Sequence, residues 1–189
     1  MDIAYVFFYS YILGSIPFGL IFSKILGYGD IRKIGSGNIG ATNALRTGSK
    51  LLALLTLFFD IFKGSLAVLL TLKFYPEYYY LSSIVVYLGH IFPVWLNFKG
   101  GKGVATFIGI ILVLNQIAFG IFIISWLLIS KLFKISSLSA LLSFVVLIVA
   151  SLLIFKIEET IFYFFFFAFS IFTHRENIAR LVSGNEKKL

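Results

Sequence analysis

Apolar residues run through this chain in long stretches, at 3–26, 50–72, 80–98, 104–133, 138–155 and 160–173, with short polar segments between them. About 20 apolar residues let a helix cross a hydrocarbon core of about 30 Å. In lipid the backbone must satisfy its own hydrogen bonds, which a helix does within one segment. The pattern therefore predicts an all-α, polytopic integral membrane helical bundle. The fourth stretch is too long for one crossing, since a helix over 104–133 extends about 45 Å at 1.5 Å per residue. Asn115-Gln116 interrupts it and Gly120 follows, which predicts a turn there, two shorter helices and seven transmembrane helices in all. The last segment, 160–173, is short for a full span and calls for local thinning or snorkelling of its flanks.

Charge fixes the orientation, because Lys and Arg in short loops mark the cytoplasmic side. With seven crossings and the N-terminus outside, Lys24, Arg32, Lys33, Arg46, Lys50, Lys99, Lys102, Lys131, Lys134, Arg175, Arg180, Lys187 and Lys188 fall inside. Those are thirteen of sixteen basic residues. Lys73 and Lys156 fall outside and Lys63 within a helix, whereas six crossings would put the basic C-terminus on the wrong face. The C-terminus is thus expected to be cytoplasmic.

Composition agrees: 60% of the 189 residues are hydrophobic and 13% charged, more apolar surface than a soluble domain of this length can hide. A net charge of +8 would suggest nucleic acid for a soluble chain. Here the basic residues sit between crossings, so no nucleic acid is expected and anionic ligands and membrane lipids are. Cysteine is absent, which removes disulfides and thiolate chemistry. With two His and few carboxylates, no metal and no cofactor is expected. The N-terminus lacks a basic leader and reads as a first crossing rather than a cleaved signal. No second domain or internal repeat is visible, so residues 1–189 are expected to form a single transmembrane domain.

Three inner segments carry chemistry. Residues 27–49, GYGDIRKIGSGNIGATNALRTGS, contain six Gly, and glycines let backbone N–H groups converge into a nest that binds phosphate oxygens. A plain connecting loop has the same composition. Arg46, a bidentate phosphate partner beyond the nest, favours a site. Gly37 and Gly40 contribute backbone, and Ser36, Asn38, Thr42 and Asn43 neutral hydrogen bonds. Residues 89–106, GHIFPVWLNFKGGKGVAT, place Lys102 between Gly101 and Gly103 where a helix starts, so its ammonium and the exposed N–H groups share one volume. The spacing is not that of a P-loop. Snorkelling of Lys99 and Lys102 to headgroups is the competing reading. His90 is expected to be a packed, hydrogen-bonded histidine.

Residues 173–186, THRENIARLVSGNE, predict a short interfacial helix with a Thr173–Glu176 capping box and Gly184 as its C-terminal stop. His174, Asn177, Ile178 and Leu181 share one face, with Arg180 to the side. Near a helix N-terminus His174 should be a neutral imidazole able to bond or to act as a base. Asp60 and Lys63, three apart in the second crossing, are expected to pair.

GSIPFG at 14–19, GSGNIGATNALRTG at 35–48, GHIFPVWLNFKGGKGVAT and HRENIARLVSGNE together make the whole chain resemble the bacterial acyl-phosphate glycerol-3-phosphate acyltransferase family. The resemblance implies a seven-helix enzyme of the bacterial inner membrane, active on the cytoplasmic side. Such an enzyme moves a fatty acyl group from acyl phosphate to the sn-1 hydroxyl of glycerol 3-phosphate, giving lysophosphatidic acid and phosphate, with the enzyme that supplies acyl phosphate as a partner. It also implies that Ser36, Arg46 and Lys102 hold phosphate groups, that His174 and Asn177 position the glycerol portion, and that Gly37, Asn38 and Thr42 help form the cradle. An acyl phosphate is a mixed anhydride with a good leaving group, so no covalent acyl-enzyme is needed, and a donor phosphate oxygen or His174 can take the alcohol proton. The alternative from another class is a membrane transporter of an organic phosphate or phospholipid.

Overall fold

The apolar stretches fold as helix because a chain in lipid must pair its backbone groups within each segment. The computed structural model describes residues 1–189, contains helices and no strand, and divides into two compact units, Met1–Leu114 and Asn115–Leu189.

The first unit comprises α1 (Asp2–Ser15), α2 (Phe18–Ile25), the short α3 (Ala41–Leu45), α4 (Lys50–Phe74), α5 (Tyr79–Ile91) and α6 (Val104–Leu114). The single helix predicted over 3–26 is two helices, broken at Ile16-Pro17. Proline has no N–H to donate and drives the residue before it out of the helical region; Ile16 accordingly has ψ 117°. α4 starts where the Ser49 hydroxyl accepts the Leu52 N–H at 3.1 Å, a cap that occupies one otherwise orphaned donor. α1 packs on α5 and α4 on α6, both through glycine. A Cβ on Gly14 would fall 2.1 Å from the Val86 carbonyl oxygen, and one on Gly109 2.0 Å from that of Ile61. In membranes such close approach, rather than hydrophobic burial, drives helix association. Polar contacts between helices add to it: the Ser10 and Ser82 hydroxyls lie 2.8 Å apart.

The second unit comprises α7 (Gln116–Phe133), α8 (Ser136–Ile154), α9 (Ile157–Thr173) and α10 (Arg175–Val182). The predicted break at Asn115-Gln116 is present. The Asn115 side chain accepts the N–H groups of Ile117 at 3.1 Å and Ala118 at 3.0 Å and so caps α7. α8 turns Ser139, Ser143 and Ser151 inward, all fully buried, while Leu132 and Leu153 stand 76% and 83% exposed, as suits side chains facing lipid.

Five helical stretches are long and apolar enough to cross a membrane: Asp2–Ile25, Lys50–Phe74, Pro76–Leu96, Gln116–Phe133 and Ser136–Ile154. α6 is apolar but shorter, with 11 residues, and α9 has 17.

Candidate active site

In the first unit the two glycine-rich segments meet over one apolar cluster. Ile31, Ile39 and Ala44 from the first and Leu96 from the second pack with Leu20 and Leu52, which seats both on the ends of α2 and α4. Within the first segment Asn43, almost wholly buried, is the organising side chain. Its Nδ2 donates to the carbonyls of Ile31 and Asn38, each at 2.8 Å. Its Oδ1 accepts the Ser36 N–H at 2.9 Å, the Ser36 hydroxyl at 3.3 Å and Arg46 Nη1 at 3.5 Å. Ser36 and Arg46, ten residues apart in sequence, are thereby held on one oxygen. Gly35 makes this possible: it has φ +59°, and a Cβ there would fall 2.2 Å from Asn43 Oδ1. Asn38 Oδ1 accepts the Gly40 N–H at 2.9 Å, closing the turn that leads into α3 and Thr42. Asp30 and Arg32, by contrast, form an exposed pair at 2.6 Å. The hydrogen bond from Arg32 holds the Asp30 carboxyl at about 2, well below the usual range.

The second segment is laid along the end of α5. The Gly100 N–H donates to the Ile91 carbonyl at 2.9 Å and the Gly101 N–H to that of His90 at 3.1 Å. Gly103, φ +86°, lies against the Tyr87 ring, where a Cβ would come 2.2 Å from Cε2. Lys102 is fixed between these two contacts, just before α6 begins. Beneath it is a buried row of ionisable groups. Lys63 Nζ lies 2.8 Å from Asp60 Oδ1 and donates to the Ile16 carbonyl at 2.9 Å, so the oxygen released by the Pro17 break serves the buried ammonium. The pairing predicted from the i, i+3 spacing is present. His90 is packed as expected, but its buried Nδ1 has no hydrogen-bond partner and faces Asp60 Oδ1 at 3.6 Å.

In the second unit His174 joins α9 to α10 and is buried. Its Nδ1 lies 2.8 Å from the Ser170 carbonyl. A carbonyl can only accept, so Nδ1 carries a proton and Nε2 holds the lone pair of the neutral ring. The expected Thr173–Glu176 capping box does not form. α9 runs on through Thr173, whose hydroxyl turns back to the Ser170 carbonyl at 3.2 Å, and α10 has no side-chain cap. Gly184 does end α10: at φ +72° its N–H donates to the Leu181 carbonyl and that of Asn185 to the Arg180 carbonyl, the paired bonds of a Schellman stop. Asn177 and Arg180 converge on Glu186, Asn177 Nδ2 on Oε1 and Arg180 Nε on Oε2 at 2.6 Å. Ser137 also donates to Oε1, at 2.8 Å. Burial raises the Glu186 pKa, and the hydrogen bonds from Arg180, Asn177 and Ser137 more than offset it, leaving the carboxyl below its ordinary value.

The model of the family described as "Glycerol-3-phosphate acyltransferase" matches residues 4–184. Curated relatives of that name include one from Pelagibacter ubique (strain HTCC1062), 49% identical over 95% of this chain and 93% of its own. Another, from Mesorhizobium japonicum, is 46% identical over 96% and 93%. The crystal structure of PlsY, an integral membrane glycerol 3-phosphate acyltransferase in its glycerol 3-phosphate form, superposes with a TM-score of 0.93 at 30% identity, covering 100% of this chain and 96% of that one. Its lysophosphatidic acid form gives 0.91. The chain belongs to the glycerol-3-phosphate acyltransferase family.

It is therefore a membrane acyltransferase of phospholipid synthesis. For this acyltransferase, sequence reasoning placed Ser36, Arg46 and Asn43 in one segment but did not foresee that Asn43 would anchor the other two. It missed Glu186 and Ser137 altogether. The one signal for Glu186 was an acid two residues past the helix-stopping Gly184 in an otherwise basic tail; for Ser137 there was none.

Proposed function

We propose that this acyltransferase uses acyl phosphate as its donor and acylates the sn-1 hydroxyl of glycerol 3-phosphate. The hydroxyl oxygen attacks the acyl carbonyl carbon, the bond from that carbon to the phosphate oxygen breaks, and phosphate leaves with the bonding pair. The hydroxyl proton passes to a phosphate oxygen of the donor, so lysophosphatidic acid and phosphate form without an acyl-enzyme. The observation that carries this reading is the meeting of Ser36 and Arg46 on Asn43 Oδ1, in a segment that shares an apolar cluster with the segment bearing Lys102. Two cations beside glycine-rich backbone suit phosphate, and stabilising charge while positioning the alcohol supplies the acceleration an already activated donor needs.

In this reading Ser36, Arg46 and Lys102 hold phosphate, with Gly37, Asn38, Gly40, Thr42, Asn43, Gly101 and Gly103 shaping the two segments. His174, Asn177 and Arg180 handle the glycerol portion, and the chain acts as a single domain over 1–189. Counting α6 and α9 with the five long apolar stretches gives seven crossings. The bias of basic residues then sets the N-terminus outside and the working side in the cytoplasm of the bacterial inner membrane. There an enzyme that makes acyl phosphate can pass it on. Family membership weighs against the transporter alternative.

Purified protein supplied with acyl phosphate and glycerol 3-phosphate should release phosphate and form lysophosphatidic acid in equal amounts; neither product appearing would overturn the donor assignment. Lys102→Met should abolish turnover and leave the protein folded. A second reading, His174 as general base, is favoured by the Nδ1 bond to Ser170, which leaves the lone pair on Nε2. Single-turnover transfer measured across pH separates the two. A fall of more than about a hundredfold in His174→Ala and His174→Gln, with the histidine titration gone, assigns the base. A retained rate with weaker glycerol 3-phosphate binding assigns a positioning role.

A further inference from the structure

We propose that His90 is a positioning residue for Lys102: its ring is the support on which the Gly100–Gly103 segment rests, and Asp60 sets the angle of that ring. The inference rests on the phosphate-holding reading of Lys102 given above.

His90 and Tyr87 are three residues apart on α5, so their rings share one face of the helix. Gly101 and Gly103 are the two residues that flank Lys102, and each lies against one of those rings. A Cβ on Gly101 would fall 2.0 Å from His90 Nε2, and one on Gly103 2.2 Å from Tyr87 Cε2. Backbone bonds secure the same registration, from the Gly101 N–H to the His90 carbonyl and from the Gly100 N–H to that of Ile91. The position of the lysine-bearing backbone over α5 is therefore set by direct contact with these two side chains.

The Tyr87 ring is fully buried, and the His90 ring has a charged neighbour. Its Nδ1 faces Asp60 Oδ1 at 3.6 Å, and that same oxygen lies 2.8 Å from Lys63 Nζ, itself bonded to the Ile16 carbonyl. The row from Ile16 through Lys63, Asp60 and His90 to Gly101 crosses from the end of α1 through α4 and α5 to the loop. It ties a buried ion pair to the residue beside Lys102. A displacement of about 1 Å at a group that meets substrate can cost about a hundredfold in rate, so a support of this kind matters without touching substrate.

The ring's two nitrogens allow a test that separates support of the loop from a merely structural role. Glutamine reaches as far as Nε2 and can still bear Gly101, while asparagine reaches only as far as Nδ1 and keeps the Asp60 side alone. Steady-state kinetics with acyl phosphate and glycerol 3-phosphate, with thermal unfolding alongside, should show His90→Gln within about tenfold of the parent in kcat/KM. His90→Asn and His90→Ala should fall about a hundredfold. Gly101→Ala should be similarly impaired, because its methyl meets the ring. Combined with His90→Ala it should cost no further activity, since the space has been cleared.

The reverse order, Asn above Gln, would overturn the inference, as would parental kcat/KM in His90→Ala or losses that simply multiply in the double variant. If His90→Ala does not fold, the Gln and Asn pair and Gly101→Ala in the Gln background carry the test. There the clash persists and the Gly101→Ala loss should remain, so full activity would count against the inference. Lys102→Met separates the two levels. Retained turnover there removes the reading of Lys102 itself, whereas a dead Lys102→Met beside an unaffected His90→Ala removes only the support.

Discussion

The pair of Asp60 and Lys63 is where the fold carries most risk. Their side chains are 4% and 2% exposed, with Nζ 2.8 Å from Oδ1. In an effective dielectric of 20 that separation corresponds to about 6 kcal/mol of attraction, much of it offset by the loss of hydration. What a single substitution exposes is the partner left behind, and an orphaned buried charge costs about 3–5 kcal/mol. Asp60→Asn leaves the Lys63 ammonium with the Ile16 carbonyl and a neutral amide, and Lys63→Met leaves the carboxylate facing only His90 Nδ1 at 3.6 Å. At about 2–4 °C per kcal/mol for a chain of this length, thermal unfolding of the purified protein should fall by roughly 6–20 °C in either variant. The double variant Asp60→Leu with Lys63→Met removes both charges and should recover much of that loss, because an apolar pair of similar volume avoids desolvation altogether. A single variant that melts with the parent, or a double variant whose loss equals the sum of the singles, would show that the two charges are not coupled and refute the reasoning.

Gly109→Ala should destabilise by about 1–3 kcal/mol or more, since its Cβ would lie 2.0 Å from the Ile61 carbonyl oxygen on α4. Gly120→Ala, with nothing within 4 Å, should melt at or slightly above the parent, so the two in parallel report the α4–α6 crossing rather than glycine content. Asn43→Ala removes the acceptor shared by Ser36 and Arg46 and the donors to Ile31 and Asn38. Activity should drop at least tenfold for roughly 2 kcal/mol of lost hydrogen bonding, with faster proteolytic cleavage between residues 27 and 49. The Glu186 carboxyl has its pKa held below the ordinary 4.5 when folded. Its contribution is complete above that value and is lost as pH falls through the lower folded one. Unfolding temperature followed downward in pH should show a step that Glu186→Gln lacks; the same profile in both would mean the tail contact does not stabilise the protein.

Helices in lipid satisfy their own backbone, so the all-helical class, the rough limits of the long apolar helices and the break at Asn115 could be read from apolar length and one polar pair. The i, i+3 pairing of Asp60 with Lys63 and the Gly184 stop could be read for the same reason, since partners within one helix lie at fixed sequence separations. Pro17 stood in plain view, yet apolar length alone runs a single helix across it, and the capping box does not form because Thr173 is the last residue of α9 and His174, not Thr173, takes the N-cap position of α10.

Which functional side chains would meet was beyond the sequence. Ser36, Asn43 and Arg46 converge only because Gly35 adopts a left-handed backbone, and Gly101 reaches His90 only because the chain turns back along α5. Asn177 and Arg180 carried the marks of substrate-binding groups, and the fold puts the Glu186 carboxylate between them. Composition and spacing determined that this chain lives in a membrane and carries basic residues in glycine-rich segments between its helices, because solvent and local geometry act on each segment separately. Contacts between residues distant in sequence depend on how whole helices pack, and that only the tertiary structure decided.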